Sequence, residues 1–223
     1  MDIAANFENL KNELPPEVKI VAVTKTRDTP EILQLYSAGH RIMGENKVQE
    51  LTGKKDSLPG DISWHMVGHL QSNKVKYIAP FISLIHSVDS QKLLKVISRE
   101  AVKNNRTIEC LLQVHIAMEE TKFGFSEEEV LGLLEGFSPG DYPGIVISGL
   151  MGMATFTGDE DLIRSEFRSL YLLYRKIRES ALPVSAGFNE LSMGMSGDYR
   201  IAVEEGSTIV RIGSVIFGER TYE

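Results

Sequence analysis

Eight short apolar runs recur along the chain, each followed by a polar turn or a stretch with helical spacing. They are KIVAVTK, RIMGEN, SWHMVGHL, FISLIHSVD, IECLLQVHI, GIVISGLMGM, ELSMGM and TIVRIGSVIFG. Their apolar character is nearly continuous rather than alternating, as expected of parallel strands covered on both faces. An amphipathic helix is expected over 4–13, before the first run. Thr29-Pro30 is the start signal of one helix, and after RIMGEN a second, polar helix is expected through Glu50. Further helices are expected over 73–79, 91–104, 159–180 and 199–205, with another opening at Ser126. There Ser-Glu-Glu-Glu has the capping-box form, a hydroxyl cap with a glutamate three residues on. Eight strands alternating with helices point to a single (β/α)8 barrel with an extra N-terminal helix. An open doubly wound sheet is the alternative.

Composition supports one domain over 1–223. The 223 residues are 42% hydrophobic and 25% charged, enough apolar side chains for a sizeable core. No Pro/Gly/Ser linker or low-complexity tract marks a second unit. The formal charge of −7 and the lack of a basic stripe argue against a nucleic-acid or anionic-membrane partner, while leaving room for a small anionic ligand. Cys110 is the single cysteine, so no intrachain disulfide forms, and its apolar surroundings read as a buried thiol. The first residues carry acids and no continuous apolar stretch, unlike a signal peptide. No run reaches the ~18 apolar residues of a membrane span, so a cytoplasmic protein is expected.

The polar residues cluster where the strands end, and in a barrel those ends share one mouth. Lys25 closes the first run, and Glu45 and Asn46 close the second. His65 and His69 belong to the third, His115 to the fifth, Met151 and Met153 to the sixth. The seventh ends in Met193-Gly194-Met195-Ser196-Gly197, and the eighth contains Arg211-Ile212-Gly213-Ser214. A desolvated lysine at such a mouth attacks aldehydes to form a Schiff base. The other reading is a lysine that pairs with a carboxylate or snorkels to solvent. The loops after the last two strands often bind phosphate in barrels, and Ser196 and Ser214 add hydroxyl donors beside flexible glycines. They also read as plain turns and caps. Arg211 within an apolar run needs a ligand or a structural partner, and Glu45 is the candidate partner for it or for Lys25. Together, an aldehyde-binding lysine, a phosphate cradle and a buried arginine suggest pyridoxal 5′-phosphate (PLP). His65 is expected near the cofactor and His69 at a helix cap. No Cys/Asp/Glu set completes a metal site around them, so no metal is expected. The four methionines 151, 153, 193 and 195 suit adaptable walls against an aromatic ring.

VAVTKT, GENKVQE, WHMVGHLQSNK, ETKFGF, GLMGMA and LSMGMSGDYRIAVEEGSTIVRIGSVIFG, in that order, resemble the PLP homeostasis proteins (YggS/PROSC-like), whose fold is the barrel of alanine racemase. The resemblance runs from about Val18 to Gly218. It implies a PLP Schiff base at Lys25, Asn46 by the ring, and Met195, Ser196, Gly213 and Ser214 around the phosphate. It places Arg211 at the pyridine nitrogen. A permanently charged donor there keeps the nitrogen unprotonated and weakens the cofactor as an electron sink. Lys122, in ETKFGF, is a candidate for transient capture of PLP, or a solvated loop lysine. Relative to alanine racemase, neither the β-rich second domain nor its tyrosine base is expected. Tyr36, Tyr77, Tyr142 and Tyr199 fall away from the strand ends and read as packing or surface residues. The implied function is an intracellular PLP carrier or regulator with little or no turnover, monomeric, with PLP-dependent apoenzymes as recipients. The alternatives are a racemase-like PLP enzyme and a cofactor-free Schiff-base aldolase.

Overall fold

The computed structural model describes residues 2–118 and 123–219. Its strands are β1 (Lys19–Val23), β2 (Ile42–Glu45), β3 (Ser63–Met66), β4 (Leu84–Val88), β5 (Ile108–Gln113), β6 (Ile145–Met151), β7 (Glu190–Met195) and β8 (Ile209–Ile212). They pair in chain order, all parallel, and β8 returns to β1, which closes an eight-stranded barrel. Around it run α1 (Ile3–Glu13), α2 (Thr29–Ser37), α3 (Val48–Lys55), α4 (Val75–Ile78), α5 (Gln91–Lys103), α6 (Glu127–Glu135), α7 (Glu160–Arg178), α8 (Tyr199–Glu204) and α9 (Ser214–Phe217). Among the described residues no helix is long and apolar enough to cross a membrane.

The expected elements are largely where the pattern puts them, and their caps explain why. Ser126 and Glu129 form the anticipated capping box. A second box starts α2, but its cap is Asp28, with Glu31 answering, and Thr29-Pro30 is the first helical step. Two expectations need correction. The 73–79 helix is split into a 3-10 turn at Ser72–Lys74 and the short α4. TIVRIGSVIFG is not one strand: β8 stops at Ile212, the chain bends at Gly213, and SVIF coils into α9. A short apolar run does not distinguish strand from buried helix by period alone. Here tertiary contact decides, since Ile216 and Phe217 are buried and Asn6 on α1 donates from Nδ2 to Ile216 O at 3.0 Å.

The two-residue period of each strand sorts its side chains. Val21, Leu84, Leu111, Met151 and Ile209 fill the barrel, with Val23, Ile42 and Met153 packed on them. Ile20, Ala22, Met43, Trp64, Met66, Cys110 and Leu112 face outward under the helices. Each such fully buried large side chain contributes about 1.5–3 kcal/mol. Cys110 is buried and its thiol is pushed above the usual range by that burial.

One irregularity shapes the mouth. Between Ser192↔Ile209 and Met195↔Arg211, β7 takes three steps to β8's two, a bulge at the strand's end. Gly194 occupies it with φ +93°, and a Cβ there would lie 2.6 Å from the Ala202 Cβ on α8. We expect Gly194→Ala to lower stability by about 2 kcal/mol or more, from left-handed strain plus the clash. Gly53→Ala, in the open middle of α3 with nothing within 4 Å, should instead stabilise by about 0.5–1 kcal/mol. Urea denaturation midpoints check both, and an unchanged midpoint for Gly194→Ala would show that the bulge tolerates a side chain.

Candidate functional site

A cavity of about 560 Å³ opens at the C-terminal end of the barrel. Of the residues singled out from the sequence, Lys25, Asn46, Met153, Met195, Ser196, Gly197, Arg211, Gly213 and Ser214 line it, whereas Met151 and Met193, expected as walls, are fully buried and do not. Alternation brings Lys25 there: Val21 and Val23 point inward, and Lys25 continues that row two residues beyond β1. Asn46 lies just past β2, where its backbone packs on Gly68. A Cβ on Gly68 would come within 2.4 Å of the Asn46 carbonyl oxygen. Lys122 lies outside the described residues.

The loops after β7 and β8 are tied to one another. Ser196 Oγ accepts from Gly213 N at 3.1 Å, joining the two turns. Asp198 closes the first, its Oδ1 accepting from Met195 N at 2.5 Å. The cavity wall also includes Arg27, Thr155 and Asp198, which the sequence reading did not single out. Thr155 is fixed by the buried Glu166, which accepts from its amide and hydroxyl, each at 2.7 Å. An acid on the apolar stripe of α7, beside Ile163, Phe167 and Leu170, was the available signal for that contact. Arg27 bonds the Gly218 carbonyl at 2.5 Å and Glu31 at 3.2 Å, fastening the β1–α2 loop to the C-terminal segment.

Arg211 is buried inside the barrel. Its Nη1 donates to Ser192 Oγ at 2.7 Å and its Nη2 to Gly152 O at 3.0 Å. Both partners are neutral, and burial lowers its pKa to about 10, so it remains a cation at neutral pH. Glu45 does not fill the role considered for it with Arg211. It points to the helix layer, where its Oε1 accepts from Lys54 Nζ at 2.7 Å and from Thr24 Oγ1 at 2.6 Å. Desolvation raises its pKa.

His65 also departs from expectation. It does not line the cavity but lies deeper in the barrel, linked to Arg211 through two intermediates. His65 Nδ1 is 3.0 Å from His86 Nε2, and His86 Nδ1 is 2.9 Å from Ser192 Oγ. Arg211 is donor only, so the Ser192 hydroxyl hydrogen is available to His86 Nδ1. His86 then donates from Nε2 to His65, and His65 Nε2 faces Ser63 Oγ at 3.4 Å. This assignment satisfies every donor with both imidazoles neutral. His69 is no helix cap: its Nδ1 meets Asp89 Oδ2 at 2.9 Å and its ring stacks on Phe123. His115 lies beyond β5, its amide bonded to Phe125 O at 2.9 Å. Tyr36 donates to Asp61 and the buried Tyr199 to Glu13, both away from the cavity. Among the described residues no three His, Cys, Asp or Glu side chains form a metal-binding group.

The family described as alanine racemase, N-terminal domain, matches residues 1–221. The "pyridoxal phosphate homeostasis protein" of Aquifex aeolicus is 38% identical over 208 residues, 92% of this chain and 88% of its own. Its namesake in Synechocystis is 36% identical, covering 93% of this chain and 94% of that one. The chain belongs to the pyridoxal phosphate homeostasis protein family. Among solved structures, PipY of Synechococcus elongatus without PLP superposes with a TM-score of 0.89 at 32% identity, covering 97% of this chain and 100% of that one. The same protein with PLP bound gives 0.85. Alanine racemase from Bartonella henselae, 17% identical with a TM-score of 0.71, covers 99% of this chain and 61% of its own, and shares the fold.

In this family member the buried His65 and His86 and the half-buried His40 make stability depend on pH. Burial lowers the pKa of His65 to about 3 and of His40 to about 4, and moves His86 well down. Each group's folded pKa lies below its unfolded value near 6.5, so the unfolded chain takes up the proton first. Their contribution is full above pH 6.5 and is lost as pH falls toward 4, at about 1.4 kcal/mol per pH unit per histidine. Glu45, with its raised pKa, opposes them. We expect a net loss of about 3 kcal/mol between pH 7 and 5.5 by urea denaturation. A flat profile over that range would overturn the neutral-histidine assignment.

Proposed function

We propose that this chain binds PLP in the mouth cavity, holds it as a Schiff base at Lys25, and serves PLP homeostasis as a carrier or regulator with little or no turnover. The observation that carries this reading is one cavity faced by Lys25, by the buried Arg211 and by the tied Ser196–Gly213–Ser214 turns. The names of the relatives and the PLP-bound cyanobacterial neighbour support it.

The residues fit the group. Bound PLP supplies an aldehyde that condenses with an amine, and a pyridine ring that draws electrons. Lys25 would present its amine to that aldehyde from the cavity wall. Ser196 and Ser214 would offer hydroxyls to the phosphate, with Asn46, Met153 and Met195 beside the ring. Arg211 lines the cavity and has further N–H groups beyond the two bonded to Ser192 and Gly152, which would be available to the ring nitrogen. A guanidinium donates there without protonating the nitrogen, which limits carbanion stabilisation. The neutral His65–His86–Ser192 chain behind it carries no acidic proton to change that.

Among the described residues lining the cavity there is no tyrosine, histidine, cysteine or glutamate to act as a base opposite Lys25, and the one carboxylate there, Asp198, is engaged through Oδ1 with the Met195 amide of its own turn. Two-base racemisation needs acid–base groups on both ligand faces, so this favours the carrier over a racemase-like enzyme. On this reading the protein works as a cytoplasmic monomer that passes PLP to PLP-dependent apoenzymes.

The test is an absorption spectrum on adding PLP, then borohydride reduction and peptide mapping. We expect a visible imine band and a pyridoxyl group on Lys25, both abolished in Lys25→Ala with the fold retained. A full-stoichiometry adduct in that variant would move the anchor to another lysine, Lys122 first. Rapid exchange of amino-acid Cα protons in deuterium oxide would replace the carrier reading with the racemase-like one.

A further inference from the structure

The turn that carries Lys25 is held from the outside of the barrel. Thr24 O accepts from Arg27 N at 3.0 Å, so 24–27 is a four-residue turn with Lys25 and Thr26 at its centre. Thr26 has φ +64°, a left-handed conformation that β-branched residues rarely adopt. In turns with a positive φ at the third position, glycine is the usual occupant. Three charged side chains hold this one instead. Glu50 Oε2 accepts from Thr26 N at 2.9 Å. Lys54 Nζ donates to Thr24 O at 2.7 Å and to Glu45 Oε1 at 2.7 Å, and lies 3.5 Å from Glu50 Oε2. The Thr24 hydroxyl completes the set on Glu45. The backbone is therefore gripped at the carbonyl before Lys25 and at the amide after it. None of the three charged groups lines the cavity.

We propose that Glu45, Glu50 and Lys54 are positioning residues that clamp the Thr24–Thr26 backbone and so aim the Lys25 amine at an aldehyde in the cavity. The inference rests on Lys25 being the lysine that takes PLP. A long flexible side chain inherits its starting direction from the Cα–Cβ bond, which the turn fixes. Small errors in approach slow a condensation strongly even where binding is untouched. The bonds from the clamp to the backbone are charge-assisted, and the side chains of Glu45 and Lys54 are only 0% and 13% exposed, so they persist in water.

The experiment compares wild type with Glu50→Ala and Glu50→Gln. Three quantities are read: the rate of the borohydride-trappable Lys25 adduct, the affinity for 4′-deoxypyridoxine 5′-phosphate, and hydrogen exchange of the Thr26 amide. The deoxy compound keeps ring and phosphate but has no aldehyde, so it reports the cavity without the amine. We expect Glu50→Ala to slow adduct formation about tenfold or more and to speed Thr26 exchange, with deoxypyridoxine phosphate affinity within about twofold of wild type. Glu50→Gln, still an acceptor for Thr26 N, should recover most of the rate. Adduct formation in Glu50→Ala within about twofold of wild type would overturn the proposal, as would a parallel loss of affinity for the deoxy compound. If wild type itself forms no adduct at Lys25, the PLP reading has failed separately. The clamp is then judged on Thr26 exchange alone, and unchanged protection in Glu50→Ala would overturn it.

Discussion

Everything at the barrel mouth depends on the seam where β8 closes on β1. Lys19, Ile20, Val21 and Ala22 pair with Ile209, Val210, Arg211 and Ile212, and this register removes the last free edge of the sheet. Because side chains alternate, it also fixes what the cavity sees. A slip of one residue in β1 would turn Lys25 into the helix layer and bring Thr24 inward. The same slip would push Val21 and Val23 out of the barrel and Ile20 and Ala22 into it, against the packing on both sides. The apolar pattern that secures the fold is therefore the same pattern that presents the lysine.

Arg211 is the element that strains this arrangement. Its interior neighbours on the strands are mainly apolar, and its direct partners are a hydroxyl and a carbonyl rather than a carboxylate. A buried cation with neutral partners is costly to folding, which is why its pKa falls even though Asp198 pulls it the other way. The His86–Ser192 pair offsets part of the cost by orienting oxygen lone pairs at the guanidinium. Placing a permanent donor in the barrel at some expense in stability follows the general rule that local inconsistency marks function. Its neutral surroundings hold the donor still without supplying a proton.

Most of the architecture was legible in the sequence because parallel strands and amphipathic helices leave clear apolar periods. The eight runs became the eight strands, and Ser126 capped as its spacing suggested. The failures share a physical cause, that several residues far apart in sequence decide the outcome. SVIF became α9 because α1 lies against it, which no local pattern encodes. That Lys25, Asn46, Arg211 and the two glycine-serine loops share one cavity was legible because strand ends in a barrel converge. His65 was misjudged because depth along a strand, rather than membership of it, decides whether a side chain reaches the cavity. Glu45 was recognised as an ion-pair residue, but its partner Lys54 comes from a helix nine positions on, on the other side of the sheet from Arg211.

That last pairing explains why charges occur in a layer otherwise built from apolar side chains. Glu45 is fully buried, its Oε2 has no partner among the described residues, and desolvation raises its pKa. For stability alone, a well-packed apolar pair of similar volume would serve as well or better, because desolvating two charges offsets much of their attraction. What an apolar pair lacks is the ability to bond the Thr24 carbonyl and, through Glu50, the Thr26 amide. One strand end thus has two faces with separate tasks: the inward face offers the amine, and the outward face fixes the backbone from which that amine extends.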